Sequence, residues 1–188
     1  MDPDRPLVDE ATAGSREAFD ELVRRHQSRI YALAQVLTDG DLEAQDLVQE
    51  TFVRAFRSVT RFRGDSAFGT WLHRIALNVI KTHVARRGRR TPTVSLAVEA
   101  DRRQSGMEQL ASDDDLEVSV ASRQLIDRAL ASLPEELKVV ITLRDVQGLE
   151  YREIAAVTGL PLGTVESRLF RARQRLRPLL EPLLKGEG

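Results

Sequence analysis

Two stretches of this chain are rich in the residue types that hold phosphates. Residues 54–90 carry Arg54, Arg57, Arg61, Arg63, Arg74, Lys81, Arg86, Arg87, Arg89 and Arg90 against a single acid, Asp65. Residues 163–177 carry Arg168, Arg171, Arg173, Arg175 and Arg177 against Glu166 alone. Between them lie Glu99, Asp101, Glu108, Asp113, Asp114, Asp115 and Glu117. A formal net charge of -1 over 188 residues thus hides two cationic surfaces. Cationic helical surfaces attract and release counterions from a nucleic-acid backbone. Two separated ones imply two contacts on one long nucleic acid.

The C-terminal basic segment has the finer pattern. At 100° per residue Val165, Leu169, Ala172 and Leu176 fall in one stripe and pack inward. Ser167, Phe170, Arg171 and Gln174 fall on the opposite face, with Arg175 and Arg177 at its edges. Arginine can grip guanine with two hydrogen bonds, glutamine can do so with adenine, and a phenyl ring can touch a thymine methyl. A short helix over 151–158 and a Gly159-Leu160-Pro161-Leu162-Gly163 turn precede this segment. Together they spell a helix-turn-helix, whose second helix enters a major groove. The alternative is a solvated basic helix in a bundle, with Phe170 packed on a neighbour.

In the first basic segment Trp71, Arg74, Asn78 and Lys81 share the flank of an apolar stripe made by Phe68, Leu72, Ile75 and Val79. Phe62 sits in the loop before it. An aromatic, an amide and cations beside a loop suit a pocket for an unstacked base. Equally, Trp71 could serve the core and Asn78 the loop backbone, and the residues alone leave both readings open.

The elements that position these groups are all helical. Apolar residues recur at three- and four-residue steps over 15–37, with Ser15 as N-cap, and over 42–59, with Leu47, Val48, Phe52, Ala55, Phe56 and Val59 inward. A third helix runs to 87. Periodicity is lost over 91–117. Helices resume near 118, Pro134 begins the next one, which reaches about 145, and Gly148 caps its end. The last runs over about 164–176. The predicted fold is all-α: two small helical domains joined by a flexible acidic linker. The boundaries are an N-terminal tail at 1–13, a first domain at 14–90, the linker at 91–117, a second domain at 118–184 and a tail at 185–188.

Composition removes other classes. The chain has no cysteine, so neither disulfides nor thiolate metal sites arise. No apolar run approaches the roughly 18 residues of a membrane span, and residues 1–10 do not form a signal peptide. The expected location is the cytoplasm, without membrane insertion. His26, His73 and His83 have no metal-ligand spacing, and no catalytic triad or glycine-rich phosphate loop is present. The expectation is a non-enzyme without metal or cofactor, with His73 and His83 exposed or against phosphate.

Phe62-Arg63-Gly64-Asp65-Ser66-Ala67-Phe68, Thr70-Trp71-Leu72, Arg74-Ile75-Ala76 with Asn78, and Asp46-Leu47-Val48-Gln49-Glu50 with Phe52 resemble region two of the extracytoplasmic-function sigma factors. Leu133-Pro134-Glu135, Ile141-Thr142-Leu143-Arg144, Glu153-Ile154-Ala155, Gly163-Thr164-Val165, Ser167-Arg168 and Phe170-Arg171-Ala172-Arg173 resemble region four of that family, in its RpoE-like branch. The resemblance implies a promoter-specificity subunit of bacterial RNA polymerase, monomeric when free. Asp46, Gln49, Glu50 and Phe52 would meet the polymerase clamp helices. Phe62, Arg63, Gly64, Asp65, Ser66 and Ala67 would capture a flipped base of the single-stranded minus-ten element, with Trp71, Arg74, Asn78 and Lys81 around them. Arg144, Thr164, Glu166, Ser167, Arg168, Phe170, Arg171, Arg173 and Gln174 would read duplex DNA at minus thirty-five, while an apolar surface of the second domain docks on the flap.

An anti-sigma factor is the further partner implied. The acidic linker would either mimic RNA phosphates in the polymerase cleft or act as a spacer. Relatives often carry arginine where Glu166 stands, and a carboxylate prefers to accept from cytosine N4, so the usual minus-thirty-five sequence does not transfer. Many also carry an acid near Thr82-His83. The rival reading is a helix-turn-helix regulator that binds DNA as a dimer without polymerase.

Overall fold

The computed structural model describes residues 2–38, 41–90 and 113–185. They form eight α-helices and no strand among the described residues: α1 (Arg5–Thr12), α2 (Arg16–Leu37), α3 (Asp41–Ser58), α4 (Phe68–Arg90), α5 (Asp113–Ala131), α6 (Glu135–Ile141), α7 (Tyr151–Thr158) and α8 (Leu162–Lys185). A 3₁₀ turn, Val59–Arg61, follows α3, and a π-helical turn, Thr142–Val146, follows α6. The linker expected over 91–117 lies mostly outside the described residues, but its last five positions already belong to α5.

In the N-terminal half, α2, α3 and α4 pack mutually. Leu22, Ile30 and Leu33 of α2 meet Ala44, Leu47, Phe52 and Ala55 of α3 and Phe68, Leu72, Ala76 and Ile80 of α4, all buried. Fully burying such a side chain stabilises the fold by about 1.5–3 kcal/mol. Ser15 caps α2, its Oγ accepting the Ala18 N–H at 3.2 Å, which contributes about 1 kcal/mol.

Several expectations change. Residues 5–12 are a helix rather than part of a tail: Val8 and Ala11 bury against α2, with Pro6 near the helix start, where its missing N–H costs nothing. Phe56, expected inward, is 50 % exposed, although its ring meets Phe19 edge-on at 5.1 Å. Pro134 is the N-cap of α6 rather than its first residue. Helix α8 starts at Leu162 and continues past 176 to Lys185.

The C-terminal half is built on α6, α7 and α8, with α5 against α8. The π turn after α6 is set by the Gln147 N–H donating to the Thr142 carbonyl at 3.0 Å. The Gly148 N–H donates to the Arg144 carbonyl at 3.1 Å. Gly148 has φ 75°, so the chain turns there at no Cβ penalty. Gly159 closes α7 in the same left-handed region, its N–H donating to the Ala155 carbonyl at 2.9 Å.

The two halves touch chiefly through α4 and α7, with α2 also meeting α5, α6 and the π turn. Thr70 Oγ1 donates to Glu153 Oε1 at 2.7 Å. The other carboxylate oxygen of Glu153 accepts the Glu150 N–H at 2.8 Å, so one side chain both caps α7 and ties it to α4. His73, expected at the surface, is buried in this contact. Its Nδ1 lies 2.6 Å from the Gly69 carbonyl, which only a protonated Nδ1 can satisfy, and its Nε2 is 3.3 Å from the Gln147 side-chain amide. Gln147 presents its Oε1 rather than its N–H to that nitrogen, so a neutral ring donates through Nδ1 alone.

Burial holds the His73 pKa below its usual 6.5, with His26 and Arg29 of α2 also opposing a second positive charge there. Above that value the ring is neutral whether the chain is folded or unfolded, and no penalty arises. As pH falls through it, the unfolded chain takes up a proton that the packed ring resists, so stability declines. Melting temperatures measured between about pH 7.5 and 5.5 should therefore fall less for His73→Leu than for the unmodified protein. Parallel pH profiles would remove His73 from the contact.

Candidate nucleic-acid and polymerase interface

Three outward surfaces collect the residues singled out by the sequence. The first is the solvent face of α8. Val165, Leu169, Ala172 and Leu176 are buried, as their spacing requires, and hold the helix against α6 and α7. Glu166, Ser167, Arg171 and Gln174 face solvent, and Phe170 is 62 % exposed. Phe170 is thus a large apolar side chain set among polar ones on that face.

The cations on α8 divide into two groups. Arg168 Nη2 donates to Glu136 at 2.8 Å, and Arg173 Nη2 donates to Asp145 Oδ1 at 2.8 Å, with Nη1 3.4 Å from the Tyr151 hydroxyl. The hydrogen bond to Asp145, then that to Tyr151, raises the Arg173 pKa further above its ordinary value. These two side chains orient the helix against its neighbours. Arg171 has no acidic partner among the described residues; its Nε leans on the Ser167 carbonyl at 3.4 Å.

Arg144 belongs to the turn. It donates to the Leu149 carbonyl at 2.9 Å and to Glu150 at 3.0 Å, and it lies 5.3 Å from the Tyr151 ring centroid. Thr164 is half-buried in the first turn of α8, and its carbonyl accepts from Ser167 Oγ at 3.1 Å.

The second surface is α4 with the loop at 62–67. Phe62, Phe68 and Trp71 form an aromatic cluster with centroid separations of 5.1–6.1 Å. Such contacts are worth about 0.5–1.5 kcal/mol beyond area burial, and they fix the loop's first residue onto the helix. Trp71 is half-buried, whereas Arg74, Asn78 and Lys81 follow it along the helix fully toward solvent. Gly64 has φ 75°, turning the loop where an L side chain would be strained.

Beside the loop opens a cavity of 480 Å3. One wall is Phe62, Gly64, Ser66 and Ala67; the other is Asp2, Pro3, Arg5 and Val8 from the start of the chain. Arg63 and Asp65 point away as exposed loop tips, and Trp71, Arg74, Asn78 and Lys81 lie outside the lining. The second wall was not legible in the sequence. Its one signal was the run of acids Asp2 and Asp4, whose partners are distant in the chain.

The third surface is the outer face of α3. Asp46, Gln49 and Glu50 are exposed, and Glu50 pairs with Arg54. Phe52, grouped with them from sequence, is buried in the core. The apolar side chains that share the open face are Leu42, 73 % exposed, with Val53 and Phe56. Positions 42, 46, 49, 53 and 56 follow three- and four-residue steps, the spacing of a helix that pairs with another helix. Reading Phe56 as core hid this stripe in the sequence.

The comparisons with known proteins agree with this geometry. Sigma-70 region 2 matches residues 22–90, and sigma-70 region 4 matches residues 123–176. The chain is 41 % identical to an ECF RNA polymerase sigma-E factor of Salmonella typhimurium, over 97 % of this chain and 96 % of that one. Among solved structures it is similar to the sigma factor RpoE in complex with the anti-sigma factor NepR from Bartonella quintana. That match has a TM-score of 0.69 and 28 % identity, covering 87 % of this chain and 96 % of the other. It is also similar to CnrH in complex with the cytosolic domain of CnrY, with a TM-score of 0.67 and 28 % identity over 98 % and 99 % of the two chains. With both regions matched in order and the whole length covered by a relative, the chain belongs to the extracytoplasmic-function sigma factors, in their sigma-E-like branch.

Proposed function

We propose that this sigma factor divides promoter recognition between the faces just described, as a non-enzymatic cytoplasmic subunit that binds DNA productively only with core polymerase. The observation that carries this reading is that one chain holds two basic faces outward on separate helices, α4 and α8, each backed by its own buried stripe. The α8 face, through Ser167, Phe170, Arg171 and Gln174, reads the major groove at minus thirty-five. Glu166 beside them accepts from a cytosine amino group rather than meeting phosphate. The 62–67 loop and the outer flank of α4 engage the melted minus-ten strand. Bases taken from the stack lie against protein aromatics, and cations follow the backbone.

The α3 stripe of Leu42, Val53 and Phe56 among Asp46, Gln49 and Glu50 suits a basic, partly apolar helix pair on the polymerase clamp. Apolar contact supplies affinity and the carboxylates supply register and steering. An anti-sigma partner is supported by the similar solved structure of the sigma factor RpoE in complex with the anti-sigma factor NepR.

The contact between α4 and α7 has a consequence for this division. Promoter elements about 25 base pairs apart are separated by about 85 Å of duplex. Helices α4 and α8 are separated only by α7, on the order of 20 Å for packed helices. Simultaneous reading of both elements therefore requires Thr70 to part from Glu153 and His73 from Gln147. The packed form is the free one, and core polymerase holds the halves apart.

Three outcomes are expected. Phe62→Ala and Asn78→Ala should reduce permanganate-detected promoter melting while leaving core binding intact; normal melting in both would remove the loop and α4 from minus-ten capture. Arg171→Ala should weaken initiation roughly tenfold to a hundredfold on some upstream sequences and little on others. An equal loss on all of them would make Arg171 a phosphate contact. Because the chain lacks cysteine, a Thr70→Cys, Glu153→Cys pair can be joined by a short bis-maleimide. The joined protein should fail in run-off transcription while the unjoined pair initiates, and full activity after joining would show that the halves need not separate.

A further inference from the structure

The second wall of the loop cavity has no role in the division above, and it carries a cation. Asp2 Oδ2 accepts the Phe68 N–H at 3.0 Å, capping α4 from 66 residues away, and Asp2 Oδ1 accepts the Asp4 N–H at 3.0 Å. Asp4 is itself buried, 2.7 Å from His26 Nε2 and accepting from Arg25 Nη1 at 3.1 Å. The start of the chain is thereby fastened to both α2 and α4, and α1 leaves it with Arg5 facing the loop.

Arg5 sits against Gly64 so closely that a Cβ on that glycine would lie 2.5 Å from Nη1. Its Nε pairs with Asp9, 3.0 Å from Oδ1 and 3.3 Å from Oδ2. That pairing uses Nε and leaves the two Nη groups of a side chain that lines the cavity beside Gly64. A guanidinium held on one edge presents the other as a planar fork with two parallel donors.

We infer that Arg5 is a specificity-determining residue of the single-stranded minus-ten pocket, selecting a captured base that offers two adjacent acceptors. This rests on the reading of the 62–67 loop as the base-capturing element. Guanine offers O6 and N7 side by side and cytosine offers O2 and N3. Adenine and thymine interrupt each such pair with a donor. The cavity, at 480 Å3, falls within the ordinary range of about 300–1,000 Å3 for small-ligand sites and accommodates a base. Ser66 on the facing wall can donate or accept, so it suits either base, and the fork of Arg5 makes the selection.

The test uses the full-length protein with core bacterial polymerase, in run-off transcription from templates permuted at every non-template minus-ten position. Arg5→Ala, Arg5→Lys and Phe62→Ala are compared with the unmodified protein. The Arg5 side chain is 55 % exposed, so its replacement leaves the core intact, and melting curves verify this. The unmodified protein should prefer guanine or cytosine at one position by roughly tenfold or more. Arg5→Ala should flatten that preference, and Arg5→Lys should not restore it, because an ammonium lacks the fork.

A uniform loss rescued by lysine would make Arg5 a phosphate contact and overturn the inference. So would an unchanged preference in Arg5→Ala alongside a melting defect in Phe62→Ala, which would leave the loop reading standing. Normal melting and unchanged base preference in both Arg5→Ala and Phe62→Ala would overturn the loop reading and the inference together.

Discussion

Helix α4 has to satisfy three surroundings at once, and the rest of the structure is arranged around that demand. One side is buried against α2 and α3 through Phe68, Leu72, Ala76 and Ile80. A second meets α7 through Thr70 and the end of the π turn through His73. The third carries Arg74, Asn78 and Lys81 into solvent. A helix buried on two sides loses the clean single stripe of a surface helix. This explains why Leu77 and Ile80 are as deeply buried as Phe68, Leu72 and Val79 of the stripe its periodicity singled out, while the fourth, Ile75, is only half-buried. Precise placement of the third side depends on the other two being fully packed, because a rigid scaffold positions a binding face better than a loop does.

The polar groups that fix α4 serve two ends each. Asp2 caps its first turn and closes a wall of the cavity. Glu153 caps α7 and holds Thr70. His73 links the carbonyl of Gly69 within α4 to Gln147 at the end of the π turn. Buried polar groups of this kind add little net stability when satisfied and are expensive when stranded. They therefore select one arrangement rather than simply strengthening it. Polar groups, Thr70 with Glu153 and His73 with Gln147, join the halves, a composition that suits surfaces that separate and rejoin. By contrast, the stripe of Val165, Leu169, Ala172 and Leu176 is wholly apolar, and nothing in the proposed function requires it to move.

The arginines show how one residue type performs two tasks. Arg144, Arg168 and Arg173 are engaged by Glu150, Glu136 and Asp145 within the C-terminal half; the first pair closes the turn before α7, and the other two tie α8 to α6 and to the π turn. Exposed pairs of this sort contribute little free energy each, but their fork geometry restricts rotation. Arg171 on the outward face has no acidic partner among the described residues. Charge alone could not separate these classes, since all four lie in basic or neutral sequence.

Much of this protein was determined by the sequence itself. Periodicity alone placed the helices and the inward stripe of α8. It also placed Ser167, Phe170, Arg171 and Gln174 outward, because a single helix with one buried face obeys a local rule. The two motif sets identified the family for a related reason, since spacing along a helix is itself the signal. The tertiary structure decided what depends on distant partners. It made a helix of residues 5–12, because Val8 and Ala11 find α2, and it brought Arg5 to Gly64 across nearly sixty positions of chain. It buried His73 while leaving Phe56 half open, because the number of neighbours around a helix cannot be read from the helix. A stripe is a property of one segment, whereas a pocket wall, a cap from afar and a contact between halves belong to pairs of segments. Only folding chooses those pairs.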